Sequence, residues 1–213
     1  EPRGSISSDR FMISVAGSLD ESLRDYSERL RQLPSNGADR IINGWCSWFY
    51  THGNITEEEI LSNTDFVSKN LRGYGMEYIQ VDEGFQAAHG EWDKGPGFPG
   101  GMRKLADEIR SYGLKPGLWL APFVISENTE VFREHKDWLL KNTDGSLKRI
   151  GPWPSEDTGW FRDETPKRYC LDISHPGAEE WLRELIDTVV NNWGYRMLKI
   201  DFVAWTVFSA DHF

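Results

Sequence analysis

The sequence predicts an α/β fold built on a parallel sheet, of the (β/α)8 barrel type with about its first four βα units present. Three observations carry this reading. Four short apolar runs, at 41–47, 77–82, 115–121 and 196–202, have the length and composition of buried strands. Segments with helical spacing alternate with them, and alternation of this kind produces a parallel sheet with helices outside it. The first three strands are each about one βα unit apart, and that repeat favours a barrel. At 213 residues the chain is short for a complete one, which typically runs to about 250.

The elements follow in order. Residues 11–16 read as a strand belonging to something upstream. Leu23, Tyr26, Leu30 and Leu33 then recur at helical spacing behind an Asp20 cap, and Pro34-Ser35-Asn36-Gly37 ends that helix. Residues 1–39 are therefore expected to be the end of a preceding β-domain plus a linker helix, and 40–213 the first half of the barrel. After the first barrel strand, Thr56 and Glu59 form a capping box, and Ile60, Leu61, Thr64, Val67 and Leu71 make an apolar stripe before Gly73. The next helix runs from Met102 to Tyr112 with Leu105, Ala106 and Ile109 inward, and stops at Gly113. Pro176 opens a third, whose Ala178, Trp181, Leu182, Leu185 and Val189 form the buried face and which Gly194 closes. Between the third and fourth strands lies a long excursion, 122–175, with a helix around 131–140 and a loop rich in Gly, Pro and Trp. Its aromatics Trp153, Trp160, Phe161 and Tyr169 argue that it is ordered.

Charge and cysteine content narrow the function classes. The chain carries 34 acidic against 24 basic side chains, a formal charge of −10, which repels phosphate backbones and anionic membrane surfaces. Neither nucleic acid nor a membrane is an expected partner. Two cysteines, Cys46 and Cys170, are too few for a disulfide framework and read as free thiols. No apolar signal core follows the first residues, which favours the cytoplasm while leaving the compartment open. The ten tryptophans supply flat apolar faces and single N–H donors, suited to amphipathic ligands.

The fourth strand holds the sharpest anomaly. With side chains alternating at period 2, Lys199 and Asp201 share one face of a strand that should be apolar. An opposed pair there costs free energy unless the two satisfy each other or a polar ligand, so a structural ion pair and a catalytic one are equally open from this strand alone. In a parallel barrel the site lies at the C-terminal strand ends. Those ends read Gly44-Trp45-Cys46-Ser47-Trp48, Val81-Asp82-Glu83-Gly84-Phe85-Gln86, Leu118-Trp119-Leu120-Ala121 and Lys199-Ile200-Asp201. Indoles, carboxylates and one ammonium suit a pyranose, whose C–H face stacks on aromatic rings while its hydroxyls pair with charged groups. Each feature also has a plainer reading: Asp82-Glu83-Gly84 as a strand-to-loop exit, and Trp45, Trp48 and Trp119 as interior filling. Ser47 has no His or Asp partner at an identifiable spacing and is assigned no nucleophilic role. The five histidines lack ligand spacing, so no metal is expected, and no cofactor is implied.

Six motifs occur in order between residues 44 and 202: Gly-Trp-Cys-Ser-Trp, Tyr-Ile-Gln-Val-Asp-Glu-Gly-Phe-Gln, Phe-Pro-Gly-Gly-Met with Leu-Ala-Asp, Gly-Leu-Trp-Leu-Ala-Pro-Phe, Leu-Asp-Ile-Ser-His-Pro-Gly and Leu-Lys-Ile-Asp-Phe. Together they resemble family 36 of the glycoside hydrolases, the retaining α-galactosidases and their relatives, over nearly all of the chain after residue 40. The resemblance implies a (β/α)8 barrel behind a β-sandwich domain, cleaving terminal α-galactosides with retention. It makes Asp201 the nucleophile, and Lys199, Asp82, Glu83, Trp45, Trp48 and Trp119 the groups that bind a galactose-containing oligosaccharide. Lys199, on the same strand face, is expected to keep Asp201 ionised.

Asp82-Glu83 stands where the family usually has Asp-Asp, which leaves substrate preference open. The resemblance puts the general acid/base on a strand later than the fourth, so none is assigned, and the chain reads as a fragment lacking it. As such it has two unpaired sheet edges, which invite self-association into a homo-oligomer. Three other functions stay open on the residues: a galactosyl transferase of the raffinose-synthase kind, a non-catalytic sugar-binding relative, and a Schiff-base lyase on Lys199. Asp201 beside Lys199 argues against the last by raising the lysine pKa.

Overall fold

The computed structural model describes residues 17–32, 42–150 and 166–204, and the chain divides into two units, 1–41 and 42–213. Within the first unit, α1 (Leu19–Arg31) carries Asp20 and Glu21 in its opening turn, where acidic groups favour the helix dipole. Ser18 Oγ, rather than Asp20, takes the cap position by accepting from Glu21 N–H at 3.2 Å. The expected strand at 11–16 lies outside the described residues.

The second unit is organised on four parallel strands in the order β1 (Gly44–Cys46), β2 (Tyr78–Val81), β5 (Lys115–Leu120) and β9 (Met197–Ile200). All four coincide with the predicted runs, trimmed at their ends. The register fixes two faces. Ile79 and Val81 of β2 with Leu118 and Leu120 of β5 are fully buried and join Ile60, Val67, Leu105 and Ile109 in one core. On the other face, Gln80 lies beside Gly117, Gly117 beside Met197, and Trp119 beside Lys199.

The connecting segments explain why that core forms. One turn of helix, α2 (Trp48–Thr51), follows β1, and α3 (Glu57–Asn70) then starts at Thr56, whose hydroxyl accepts from Glu59 N while Glu59 returns a carboxylate to Thr56 N, the predicted capping box. Between β2 and α4 (Met102–Ser111) the chain inserts an antiparallel hairpin, β3 (Gln86–Ala88) and β4 (Glu91–Lys94). Pro176 occupies the first turn of α6 (Pro176–Asp187), where its missing N–H costs nothing. The predicted helix does not continue as α-helix to Gly194. Thr188–Asn192 widen into a π turn before Gly194 adopts φ 85°.

The excursion at 122–175 is a small sheet in its own right. β6 (Val124–Ser126), α5 (Glu130–Glu134), β7 (Arg149–Ile150) and β8 (Arg168–Cys170) place three antiparallel strands in the order β6-β8-β7. Ile125, Leu139, Tyr169, Leu171 and Ala178 give it a second core. The expected helix at 131–140 is shorter, ending at Glu134 before a 3₁₀ turn at Lys136–Trp138. Trp153, Trp160 and Phe161 lie outside the described residues, whereas Tyr169 is in β8 and buried.

Candidate active site

The polar side chains collect at the C-terminal ends of β2, β5 and β9. Asp82, one residue past β2, is 1% exposed yet fully satisfied. Its Oδ2 accepts from Lys199 Nζ at 2.9 Å, from Gln80 Nε2, and from the Cys46 thiol at 3.4 Å. Its Oδ1 accepts from Glu83 N at 3.0 Å, and its own N–H donates to Ser47 Oγ at 2.9 Å. Buried carboxylates persist when this many donors replace water. Burial, with the Asp82 carboxylate beside it, pushes the Cys46 thiol up to about 11.

Lys199 does not pair with Asp201. Residues two apart on a strand are about 7 Å from each other, so the long lysine stem crosses β5 to Asp82 instead. Asp201 takes a different partner: Trp119 Nε1 donates to Oδ2 at 3.0 Å. The backbone around it is held too, since Asp201 N–H donates to Leu120 O at 2.8 Å and Phe202 N–H to Asp201 Oδ1 at 2.8 Å. Phe202 adopts φ 57°, a left-handed conformation rare for an aromatic residue and of the kind found at functional sites.

The chain matches the melibiase family over residues 31–208. This protein belongs to the melibiase family. It is 28% identical over 129 residues to an α-galactosidase of Geobacillus stearothermophilus, covering 54% of this chain and 17% of that protein. Against an Escherichia coli α-galactosidase the identity is 22% over 197 residues, covering 87% and 23%. An α-galactosidase of Thermus thermophilus, solved in complex with p-nitrophenyl α-D-galactopyranoside, superposes with a TM-score of 0.72 at 32% identity, covering 87% of this chain and 36% of that one. A further structure of the Thermus enzyme holds stachyose. This chain thus spans about a fifth of the length of these curated relatives and about a third of the Thermus chain.

The remaining candidate residues fall in three places. Trp119 shares the face of Asp82, Lys199 and Asp201 and is 1% exposed. Trp45 pairs in register with Ile79 and packs on the hydrophobic core, which puts it on the opposite face of the sheet. Trp48 and Glu83 line an adjoining cleft of about 500 Å³ with Gln86, His89, Asn128 and Arg168. Glu83 Oε1 lies 3.2 Å from His89 Nε2, close but off the line of an ordinary hydrogen bond, which Nε2 therefore lacks. Burial depresses the His89 pKa, with Glu83 opposing and Arg168 reinforcing that shift.

Four residues at the site were not singled out from sequence: Cys46, Ser47 as a support, Gln80 and His89. Period-2 alternation back from Asp82 reaches Gln80 directly, and the same rule would have placed Cys46 on that face once the strand pairing was known. His89 carries no sequence signal, because a hairpin brings it in.

Proposed function

We propose that this chain is the nucleophile-bearing part of a retaining glycosidase that acts on terminal α-galactosides, its four-stranded sheet continuing into a (β/α)8 barrel within a longer polypeptide. Residues 1–39 are then the end of a preceding β-domain and a linker helix. The observation that carries the reading is the convergence of Lys199, Asp82, Trp119 and Asp201 on one sheet face at the C-terminal strand ends. Barrel enzymes bind substrate there.

In this reading a galactosyl ring sits at these strand ends with its hydroxyls toward Asp82 and Lys199, Trp119 lies beneath as a packed wall, and Glu83 and Trp48 border it on the cleft side. Asp201 attacks the anomeric carbon while a second carboxyl group, supplied from outside this chain, protonates the departing oxygen. Water then cleaves the glycosyl ester after giving its proton to that same group, which requires the two carboxyls to stand about 5–5.5 Å apart. Trp119 Nε1 and Phe202 N–H hold the Asp201 oxygens in place for attack. Trp45, on the core side of the sheet, supports β1 rather than the sugar.

The galactosides held by the Thermus relative make such an oligosaccharide the substrate to try first. A 2-fluoro galactosyl reagent applied to the full polypeptide should label Asp201, located by peptide mass spectrometry, and Asp201→Asn should abolish both labelling and release of p-nitrophenol. Labelling at another carboxylate, or unchanged turnover by Asp201→Asn, would overturn the assignment. Galactose binding without either reaction would leave a sugar-binding relative.

A further inference from the structure

His89 is a titratable side chain, 4% exposed, that the proposed reaction does not use. It sits in the turn between β3 and β4, where its carbonyl accepts from Ser126 N at 2.8 Å and the next residue, Gly90, takes φ 104°. The hairpin is thereby tied to β6, and the imidazole is pushed inward over the site. Its ring meets Trp119 edge-on, with centroids 5.8 Å apart and planes at 79°, and lies over Phe202 at 6.4 Å and 35°. Trp119 and Phe202 are the two residues whose N–H groups hold the Asp201 oxygens. The same ring brings Nε2 to 3.2 Å from Glu83.

We propose that His89 is a positioning residue with two separable tasks: its ring fixes Trp119 and Phe202, and through them the Asp201 carboxylate, while its polar Nε2 edge, 3.2 Å from Glu83 Oε1 though not aligned as a hydrogen bond, attracts that carboxylate at the edge of the cleft. A hydrocarbon of similar bulk fills the space but leaves Glu83 without that polar edge. A donor lacking the ring serves Glu83 but removes one of the three rings packed on the Trp119 indole, leaving Trp92 and Phe202. Polar side chains this deeply buried cost stability when imperfectly paired, and that cost is borne here next to the candidate nucleophile. The inference rests on the reading of Asp201 as nucleophile only for its kinetic consequence.

The two tasks predict opposite kinetic signatures in the full polypeptide. His89→Gln keeps an N–H and loses the ring, so kcat for an aryl α-galactoside should fall by about 10- to 100-fold with KM little changed, as misplacement of a reacting group does. His89→Phe keeps a ring and loses the N–H, so KM should rise by about tenfold with kcat nearly intact. Folding of each variant is checked by circular dichroism. A readout free of activity is the indole ¹H–¹⁵N resonance of Trp119, assigned by its loss in Trp119→Phe. In His89→Gln it should move toward its position in Asp201→Asn, and in His89→Phe it should stay. Equal effects of both variants on kcat and KM, or an unmoved indole signal in His89→Gln, would overturn the proposal. A wild-type polypeptide without glycosidase activity would sink the proposed function, while the indole signal would still decide the positioning role.

Discussion

Lys199 Nζ lies 2.9 Å from Asp82 Oδ2 although the two residues belong to the ends of β9 and β2, with β5 between them. The pair is asymmetric, since the carboxylate side chain is 2% exposed and the lysine 38%. Water screens the ammonium, so the attraction itself is modest. The larger loss on deleting the lysine comes from the carboxylate left inside.

Lys199→Met is therefore expected to cost about 1–3 kcal/mol of stability, read from urea unfolding, and adding Asp82→Asn should recover part of it. Strict additivity of the two single changes would mean that the side chains are not coupled.

Cys46 is half-buried and its thiol is pushed up to about 11 by burial, with the Asp82 carboxylate reinforcing the shift. The thiolate reacts, so iodoacetamide should modify Cys46 at pH 8 about 100-fold more slowly than an unperturbed cysteine. Modification should accelerate as pH rises through 10 to 11, followed by mass spectrometry of the labelled peptide. Rapid labelling at pH 8 in the folded protein would contradict a thiol raised by burial beside Asp82.

The depressed pKa of His89 has a consequence for folding, with Glu83 and Arg168 as the charged groups that act on it. The folded protein holds it neutral, whereas the unfolded chain takes up a proton below about pH 6.5. Its contribution to stability is thus complete above that value and is lost as pH falls toward the depressed folded pKa. Carboxylates also titrate on this descent, so the test is a difference. Stability of wild type relative to His89→Gln should shrink between pH 7 and pH 5, by at most about 1.4 kcal/mol per pH unit. A difference that is flat with pH would show that His89 does not titrate in this way.

Two glycines near the site should respond differently to alanine. Gly84 has φ 118°, and a Cβ there would strike the Gly53 backbone. A Cβ on Gly117 would strike the terminal methyl of Met197 and crowd its sulfur, the far end of a flexible side chain that can rotate away, and would only touch the Met197 carbonyl. Gly84→Ala is expected to cost about 2–4 kcal/mol. Gly117→Ala should stay within about 1 kcal/mol, because a strand alanine gives back some backbone entropy. Thermal unfolding distinguishes the two, and equal losses would refute this account.

The four parallel strands and their connecting helices were legible because the strands fall within short apolar runs and because caps such as Thr56 with Glu59 are local chemistry. The hairpin β3–β4 and the sheet β6-β8-β7 were not, since strands of two to four residues are too short to show a period. The preference for Ser18 over Asp20 as the cap of α1 also escaped, an uncertainty of two residues at a helix end.

By itself the sequence determined that Lys199 and Asp201 share a strand face and that Asp82, Trp119 and both of them fall at C-terminal strand ends, because period-2 alternation is a property of the backbone. Which of these groups pair was decided only by the tertiary structure. Lys199 chooses Asp82 over Asp201, and Asp201 takes the indole of Trp119, because pairing across strands depends on register and on side-chain reach. The entry of His89 into the same site depends on where a hairpin folds back, a long-range relationship that no local pattern of residues encodes.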